Sequence, residues 1–269
     1  MHSSNLGDVI VKGYVIALAA AALVPSVVSA APVDLSGWTE ELGPGTPNAN
    51  WSVQGVLNDT VFQNQNSAPS VFFDPTANSQ GLALSGEITV ETTGDDDYIG
   101  FVLGFNSGDF SSASSDFWLI DWKQANQGFC GGTAQAGLSL SQVSGDVGNS
   151  TECDFWNHEG TVDEVARGST LGSTGWVDNQ TYEFDLVFTS SVIEVFVDGN
   201  KEISYAGDFT DGSFGFYNYS QPNVRYAGIT EDEAPPPNPI PLPAAGWLLF
   251  AGIGGLAAIK RRKTAAKTA

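Results

Sequence analysis

Three consecutive aspartates, Asp95, Asp96 and Asp97, directly precede the apolar and aromatic run Tyr98–Phe105. Neighbouring like charges repel, so such a triplet is stable either in water or around a cation, and calcium is the hard cation that prefers oxygen ligands. Consecutive strand residues point to opposite faces. A turn after Gly94 is therefore needed to bring two carboxylates onto one ion, with backbone carbonyls completing the shell. From these residues alone, a calcium site and a solvated turn both stay open.

A second carboxylate pattern, Glu183-Phe-Asp-Leu-Val187, bears on catalysis. Glycosidases related to laminarinases and lichenases carry Glu-x-Asp-x-Glu on one strand, which places nucleophile and acid on the same face. Here Val187 stands where the second glutamate is required. His158, the only histidine outside the first 30 residues, has no evident serine or cysteine partner and is interpreted as a packing or hydrogen-bonding residue. The sequence therefore favours a protein that is not an enzyme, with a glycosidase as the less favoured alternative.

The charge of the 269-residue chain is very uneven. Between Ala31 and Glu233 there are 30 acidic side chains and only four basic ones. Such a surface repels nucleic acid and anionic lipid and favours cation binding, although adaptation to a salty habitat would produce the same bias.

The segments that must position these residues are predicted to be strands. Val, Phe, Tyr, Trp and Thr are abundant, and short apolar runs are separated by Gly, Asn and Pro. No segment of useful length between Ala31 and Glu233 has a helical period. We expect an all-β, concanavalin A-like or jelly-roll sandwich of two sheets. Its predicted strands are Trp51–Val56, Ser70–Phe73, Leu82–Thr92, Tyr98–Phe105, Asp116–Gln124, Gln135–Val143, Tyr182–Phe188, Val192–Val197, Lys201–Tyr205, Ser213–Tyr219 and Val224–Ile229.

The N-terminal segment, residues 1–30, is typical of a cleaved secretory signal, with Lys12, an apolar run and Val28-Ser-Ala30. An uncleaved anchor is the alternative. Export would place the body where disulfides persist. The only two cysteines, Cys130 and Cys153, are therefore predicted to form a disulfide rather than to stay free.

The C-terminus has three parts. Residues 231–239 are an acidic, proline-rich linker. Residues 240–263 are predicted to form an apolar transmembrane helix that ends in Lys260-Arg-Arg-Lys263, and this basic run predicts that the tail, residues 264–269, stays in the cytoplasm. The order of these parts resembles the PEP-CTERM family of bacterial sorting signals in its V-P-L-P-A variant, with Ile240 before Pro241, Leu242, Pro243 and Ala244. The resemblance implies recognition by an exosortase-type processing enzyme, transient membrane anchoring and display on a Gram-negative bacterium. A plain membrane anchor is the alternative.

The body, residues 31–230, resembles the C-terminal domain of thrombospondins, a domain similar to L-type lectins. The resemblance lies in Asp95–Phe105, in Phe117–Gln124 with its Trp-Lys-Gln end, and in further short motifs. These motifs are Ala136–Leu140, Phe155–Gly160, Gly175–Asp178 and Phe214–Gln221. Asp121 departs from the family, which usually has an apolar residue at this position, and the loop Asn106–Ser115 is longer than the family's pattern.

This second resemblance implies calcium binding and an adhesive or matrix role outside the cell. Carried over residue by residue, it makes Asp95, Asp96 and Asp97 the expected calcium ligands. A carbohydrate-binding module is the alternative function, since Trp118, Trp122, Tyr217 and Tyr219 could offer aromatic faces to a sugar. The sequence leaves open whether the ligand is an extracellular polysaccharide or a cell-surface protein.

Overall fold

The structure is a computed structural model that describes residues 30–235. The predicted sorting segment, with Pro241, Leu242, Pro243 and Ala244, lies outside the described residues, as does the predicted signal peptide apart from Ala30. Within 30–235, no helix is both long enough and apolar enough to cross a membrane.

The described residues form 17 strands and one short α-helix, α1 (Glu152–Asn157). The strands in chain order are β1 (Ala31–Pro32), β2 (Thr39–Leu42), β3 (Trp51–Gln54), β4 (Thr60–Gln63), β5 (Ser70–Phe73), β6 (Leu82–Val90), β7 (Tyr98–Phe105), β8 (Ser115–Lys123), β9 (Gln127–Phe129), β10 (Gly132–Ala134), β11 (Gly137–Gly145), β12 (Val162–Arg167), β13 (Thr181–Phe188), β14 (Val192–Val197), β15 (Asn200–Ala206), β16 (Ser213–Tyr219) and β17 (Val224–Glu233).

Two antiparallel sheets contain all strands except the small β9–β10 hairpin. One sheet has the order β15-β14-β13-β6-β17-β4-β3, with β1 paired to β17, and the other has the order β12-β11-β8-β7-β16-β5-β2. The predicted all-β two-sheet sandwich is thus confirmed. The non-consecutive neighbours, such as β7 beside β16, bring residues together that are more than a hundred positions apart in the chain.

The main hydrophobic core lies between the two sheets. Ile99, Phe101 and Leu103 of β7 belong to it, as do Phe184 and Leu186 of β13 in the opposite sheet. The alternation of side chains along each strand sends these residues to the same side. The buried residues of this core that the structure describes lie between Leu35 and Ile229, so residues 31–233 contain a hydrophobic core.

A second core lies on the other face of the seven-stranded sheet. Tyr98 and Val102, which alternate with the residues of the main core, pack there with Phe155 and Trp156 of α1. The sheet is therefore covered on both faces, which is why every residue of β7 is buried. This outer face, the face covered by α1, carries the candidate functional site.

The strongly apolar strands agree best with the sequence predictions. β5, β7, β14 and β16 have the predicted bounds, whereas β17 continues to Glu233 and so includes three residues of the predicted linker. Six strands, β1, β2, β4, β9, β10 and β12, were not predicted, because they are short or polar and owe their extended form to pairing with a neighbour. Helix α1 spans six residues, which is too short to show a helical period in the sequence.

Candidate metal site and adjoining pocket

The aspartate triplet lies at the end of the seven-stranded sheet, where β7 begins. Tyr98, the first residue of β7, pairs with Lys123 at the end of β8 and with Tyr219 at the end of β16. Antiparallel pairing therefore sets Asp97 beside the last residues of both neighbouring strands. The predicted turn after Gly94 occupies the connection from β6 to β7.

The three carboxylates converge. One oxygen from each of Asp95, Asp96 and Asp97 lies within 4.8 Å of the others. Asp97 is buried, while Asp95 and Asp96 are partly exposed. Asn66 donates to Asp95 Oδ2 (2.6 Å), and Gln221 Oε1 accepts a hydrogen bond from the Asp97 amide (2.9 Å), so side chains remote in sequence hold the turn in place.

A buried ammonium group stands inside this cluster. Lys123 Nζ donates to Asp97 Oδ1 (2.6 Å), to the Asp96 carbonyl (3.2 Å) and to Gln127 Oε1 (2.8 Å). It also lies 4.5 Å from the centre of the Trp156 ring, at cation–π distance. Lys123 thus supplies one positive charge against three carboxylates, which leaves a surplus of two negative charges.

This donor set suits calcium, which binds carboxylate oxygens. Burial raises the pKa of the Asp97 carboxyl, and the hydrogen bond and charge of Lys123 oppose that rise. The sequence predicted that backbone carbonyls complete the coordination shell of the ion, but the carbonyls of Asp96 and Asp97 are already hydrogen-bonded within the protein. The Asp96 carbonyl accepts from Lys123 Nζ and from the Gln124 amide (3.2 Å), and the Asp97 carbonyl accepts from Trp176 Nε1 (3.1 Å).

A pocket of about 190 Å³ adjoins the triplet on the outer face. Its aromatic lining is Phe129 of β9, Trp156 of α1 and Tyr219 of β16. The carboxylates of Asp97 and Glu152 also line it.

The disulfide joins two walls of this pocket. Cys130 and Cys153 are bonded, with 5.4 Å between their Cα atoms, as the sequence predicts. Cys130 follows β9 directly, and Cys153 lies in α1. The bridge therefore fixes the β9–β10 hairpin against the helix, which the short strands alone would hold only weakly.

Farther along the same face lies a second charged cluster. His158 Nε2 is 2.8 Å from Asp121 Oδ2, and His158 Nδ1 is 3.2 Å from Glu164 Oε2. Arg167 forms two hydrogen bonds with Glu164, and Ser139 donates to Asp121 Oδ1 (2.6 Å). Burial alone would lower the pKa of His158, but the two carboxylates outweigh it and raise the pKa to about 9. The unusual aspartate at position 121 is thus paired with a buried, positively charged histidine.

Lys123 was not among the predicted site residues. The Trp-Lys-Gln motif could have indicated it, because a lysine at the end of an apolar strand lies at the same end of the sheet as the triplet. All four aromatic candidates for sugar contact are buried. Trp118 and Trp122 belong to the main core, and Tyr217 and Tyr219 belong to the second core. Tyr219 alone of the four lines the pocket.

The family profile described as "Thrombospondin C-terminal region" matches residues 46–232, more than half of the chain. The chain belongs to this family. Thrombospondin-4-B of Danio rerio is 28% identical over 205 residues, which cover 70% of this chain and 20% of that protein. The cartilage oligomeric matrix protein of Homo sapiens is 27% identical over 204 residues, covering 70% of this chain and 26% of that protein. The chain thus matches about a fifth to a quarter of the length of these relatives.

Two solved structures are similar to this chain at low identity. The carbohydrate-binding module CBM66 of Bacillus subtilis is 12% identical, with a TM-score of 0.49 over 73% of this chain and 96% of that one. The galectin LEC-6 of Caenorhabditis elegans is 14% identical, with a TM-score of 0.35 over 72% of this chain and 96% of that one.

Proposed function

We propose that the protein is an exported calcium-binding domain with an adhesive role at a bacterial surface, and that Asp95, Asp96 and Asp97 are its calcium ligands. The observation that carries this proposal is the convergence of the three carboxylates within 4.8 Å around only one ammonium group. A divalent cation would balance the two surplus negative charges. Membership of the thrombospondin C-terminal region family and the acidic surface support the same function.

Calcium titration by calorimetry on residues 31–235 tests the metal site. The variant Asp95→Asn/Asp96→Asn removes two partly exposed carboxylates but keeps the buried pair of Asp97 and Lys123, so the fold is preserved. We expect this variant to lose calcium binding. The loss of two charged calcium ligands costs ~3 kcal/mol of binding free energy, which would weaken binding more than a hundredfold.

The matched control is Asp163→Asn/Asp208→Asn, which also removes two negative charges. Both of these aspartates are exposed and lie away from the triplet, on β12 and after β15. The control variant should bind calcium like the wild type. Equal binding in the two double variants, or the absence of binding in the wild type, would contradict the assignment of the site.

The adhesive role is tested with beads that carry residues 31–235. We expect the beads to cluster or to bind extracted surface polysaccharide in calcium, and to disperse when calcium is chelated. Beads that carry Asp95→Asn/Asp96→Asn are the control for unspecific adsorption. Clustering that is the same in chelator and in calcium would argue against a calcium-dependent adhesive domain.

Export and sorting form the second part of the proposal. The leader 1–30 and the segment around Pro241-Leu-Pro-Ala244 support secretion followed by exosortase-type processing. Mass spectrometry of the mature protein from its bacterial surface measures both ends of the chain. We expect a new N-terminus near Ala31 and loss of residues beyond the Pro-Leu-Pro-Ala motif. A mature protein that retains Lys260–Lys263 would instead indicate a plain membrane anchor.

A further inference from the structure

We propose that the pocket between the β9–β10 hairpin, helix α1 and the end of β16 binds one uncharged or amine-bearing sugar unit, such as the terminal residue of a surface glycan. The pocket adjoins the aspartate triplet and shares only Asp97 with it, whereas Phe129, Glu152, Trp156 and Tyr219 belong to the pocket alone. The two sites can therefore be tested separately. Its volume of about 190 Å³ is below the roughly 300–1,000 Å³ of pockets for drug-sized ligands, and it therefore suits a single ring rather than a chain.

The apolar walls favour a ring-shaped ligand. Trp156 packs edge-to-face against Phe129, with 5.3 Å between ring centres, and against Tyr219, with 5.4 Å. Phe129 is 46% exposed, and it is one of only four large apolar side chains that are exposed in residues 30–235. An exposed aromatic ring at the rim of a pocket offers its face to the C–H groups of a sugar, as aromatic residues do in many binding sites.

The polar groups of the pocket favour a ligand rich in hydroxyls. The carboxylates of Asp97 and Glu152 accept hydrogen bonds, and Asn66 adds an amide. Two buried polar atoms of lining residues, Ser67 Oγ and Trp156 Nε1, have no hydrogen-bond partner among the described residues. Buried groups of this kind are costly unless they gain a partner, and sugar hydroxyls can both donate to a hydroxyl and accept from an indole.

The charge of the pocket lining limits which sugars it can bind. No lysine, arginine or histidine of the described part of the chain lines the pocket, whereas two carboxylates do. Lys123 neutralises Asp97, and Glu152 has no basic partner among residues 30–235. Uronic, sulfated or phosphorylated sugars would meet repulsion from these carboxylates. A neutral sugar or an amino sugar would not be repelled by these carboxylates.

The disulfide makes the pocket a preformed site. Phe129 precedes Cys130, and Glu152 precedes Cys153, so the bridge holds one side chain of each wall at a fixed separation. A preformed pocket avoids the free-energy cost of ordering its walls when the ligand binds.

Chemical-shift titration of ¹⁵N-labelled residues 31–235 with methyl glycosides of glucose, galactose and mannose, with glucosamine and with glucuronate tests the proposal. We expect at least one neutral or amino sugar to shift the amides of Gly128, Phe129 and Ser220, while glucuronate causes no shift. Phe129→Ala and Glu152→Gln should each weaken binding about tenfold, the effect of losing one aromatic contact or one charged hydrogen bond.

Two matched variants outside the pocket control for the loss of an exposed apolar side chain and for the loss of a negative charge. Val177→Ala truncates another exposed apolar side chain (53% exposed), and Glu183→Gln neutralises an exposed carboxylate on β13 in the other sheet. Both should bind like the wild type. The proposal is overturned if no sugar shifts the pocket amides, if the pocket variants bind like these controls, or if glucuronate binds best. Binding that is unchanged in EDTA and in Asp95→Asn/Asp96→Asn supports a pocket that is independent of calcium, whereas loss in both conditions would overturn that independence.

Discussion

Two charged clusters occupy the outer face of the seven-stranded sheet, and they differ in charge balance. Both are built on an aspartate beside a cation, Asp97 with Lys123 in one cluster and Asp121 with His158 in the other. In the second cluster, Arg167 also pairs with Glu164, so two cations balance two carboxylates. In the first, three carboxylates share one ammonium group.

This difference separates a structural cluster from a ligand site. A cluster whose positive and negative charges balance and are hydrogen-bonded gains no electrostatic energy by binding a further ion. A converging set with surplus negative charge lowers its energy by binding a cation. The acidic residues of this chain are numerous everywhere, so it is the local balance, and not the local number of carboxylates, that marks Asp95–Asp97 as the metal site.

The largest expected effect comes from removing the buried ammonium. Lys123→Met leaves the buried Asp97 without its cation and should lower the free energy of unfolding by ~3–5 kcal/mol, as broken buried ion pairs do. Denaturant unfolding in EDTA measures this loss. The double variant Lys123→Met/Asp97→Asn is the control, because it also removes the stranded charge and should regain part of the stability. A single variant as stable as the wild type would show that Asp97 is not held by Lys123.

The balanced cluster predicts a pH-dependent stability of somewhat smaller size. Folding raises the pKa of His158 from 6.5 to about 9, so the protonated form is favoured in the folded state. The stabilisation is therefore complete below pH 6.5 and is lost as the pH rises through 9. Its size is about 3 kcal/mol by linkage.

Unfolding midpoints measured from pH 6 to 10 test this dependence. His158→Gln should be less stable at pH 6 and should lack the decline between pH 6.5 and 9. A wild-type profile that is flat over this range would mean that His158 is not held in its charged form by Asp121 and Glu164.

The smallest expected effect concerns the surplus charge in the absence of metal. Asp95→Asn/Asp96→Asn relieves repulsion within the triplet and should raise stability in EDTA by less than ~1 kcal/mol, because partly exposed charges are screened by solvent. In saturating calcium the order should reverse, since only the wild type gains binding energy. Thermal unfolding in EDTA and in calcium measures both. If the wild type were the more stable protein in EDTA, the triplet would be a balanced cluster like the one around His158.

Much of the fold was predictable because its central strands carry strong local patterns. The continuous apolar run Tyr98–Phe105 has the pattern of a strand buried on both faces, and the main core on one side and the second core with α1 on the other bury every residue of it. The β9–β10 hairpin and α1 were not predicted, since each is too short for a periodic signal and is fixed instead by the disulfide and by packing on the sheet. The pocket lies between these two elements, so it could not be predicted either.

The candidate site was predictable in its residue types but not in its charge balance. The triplet is contiguous and visible in the sequence, whereas Lys123 lies 26 positions beyond Asp97 and Gln221 lies 124 positions beyond it. Only the pairing of β7 with β8 and β16 brings them to one place. The partnership of Asp121 with His158 likewise depends on α1 folding back over β8.

The sequence alone determined the all-β class, the cysteine pair, the acidic charge and the position of the three aspartates, because each of these depends on composition or on neighbours along the chain. The tertiary structure decided which charges meet. It placed one lysine among three carboxylates, gave Asp121 a histidine, and enclosed a pocket beside the triplet. Strand order joins residues that are distant in the chain, and electrostatic energy depends on their separation in space.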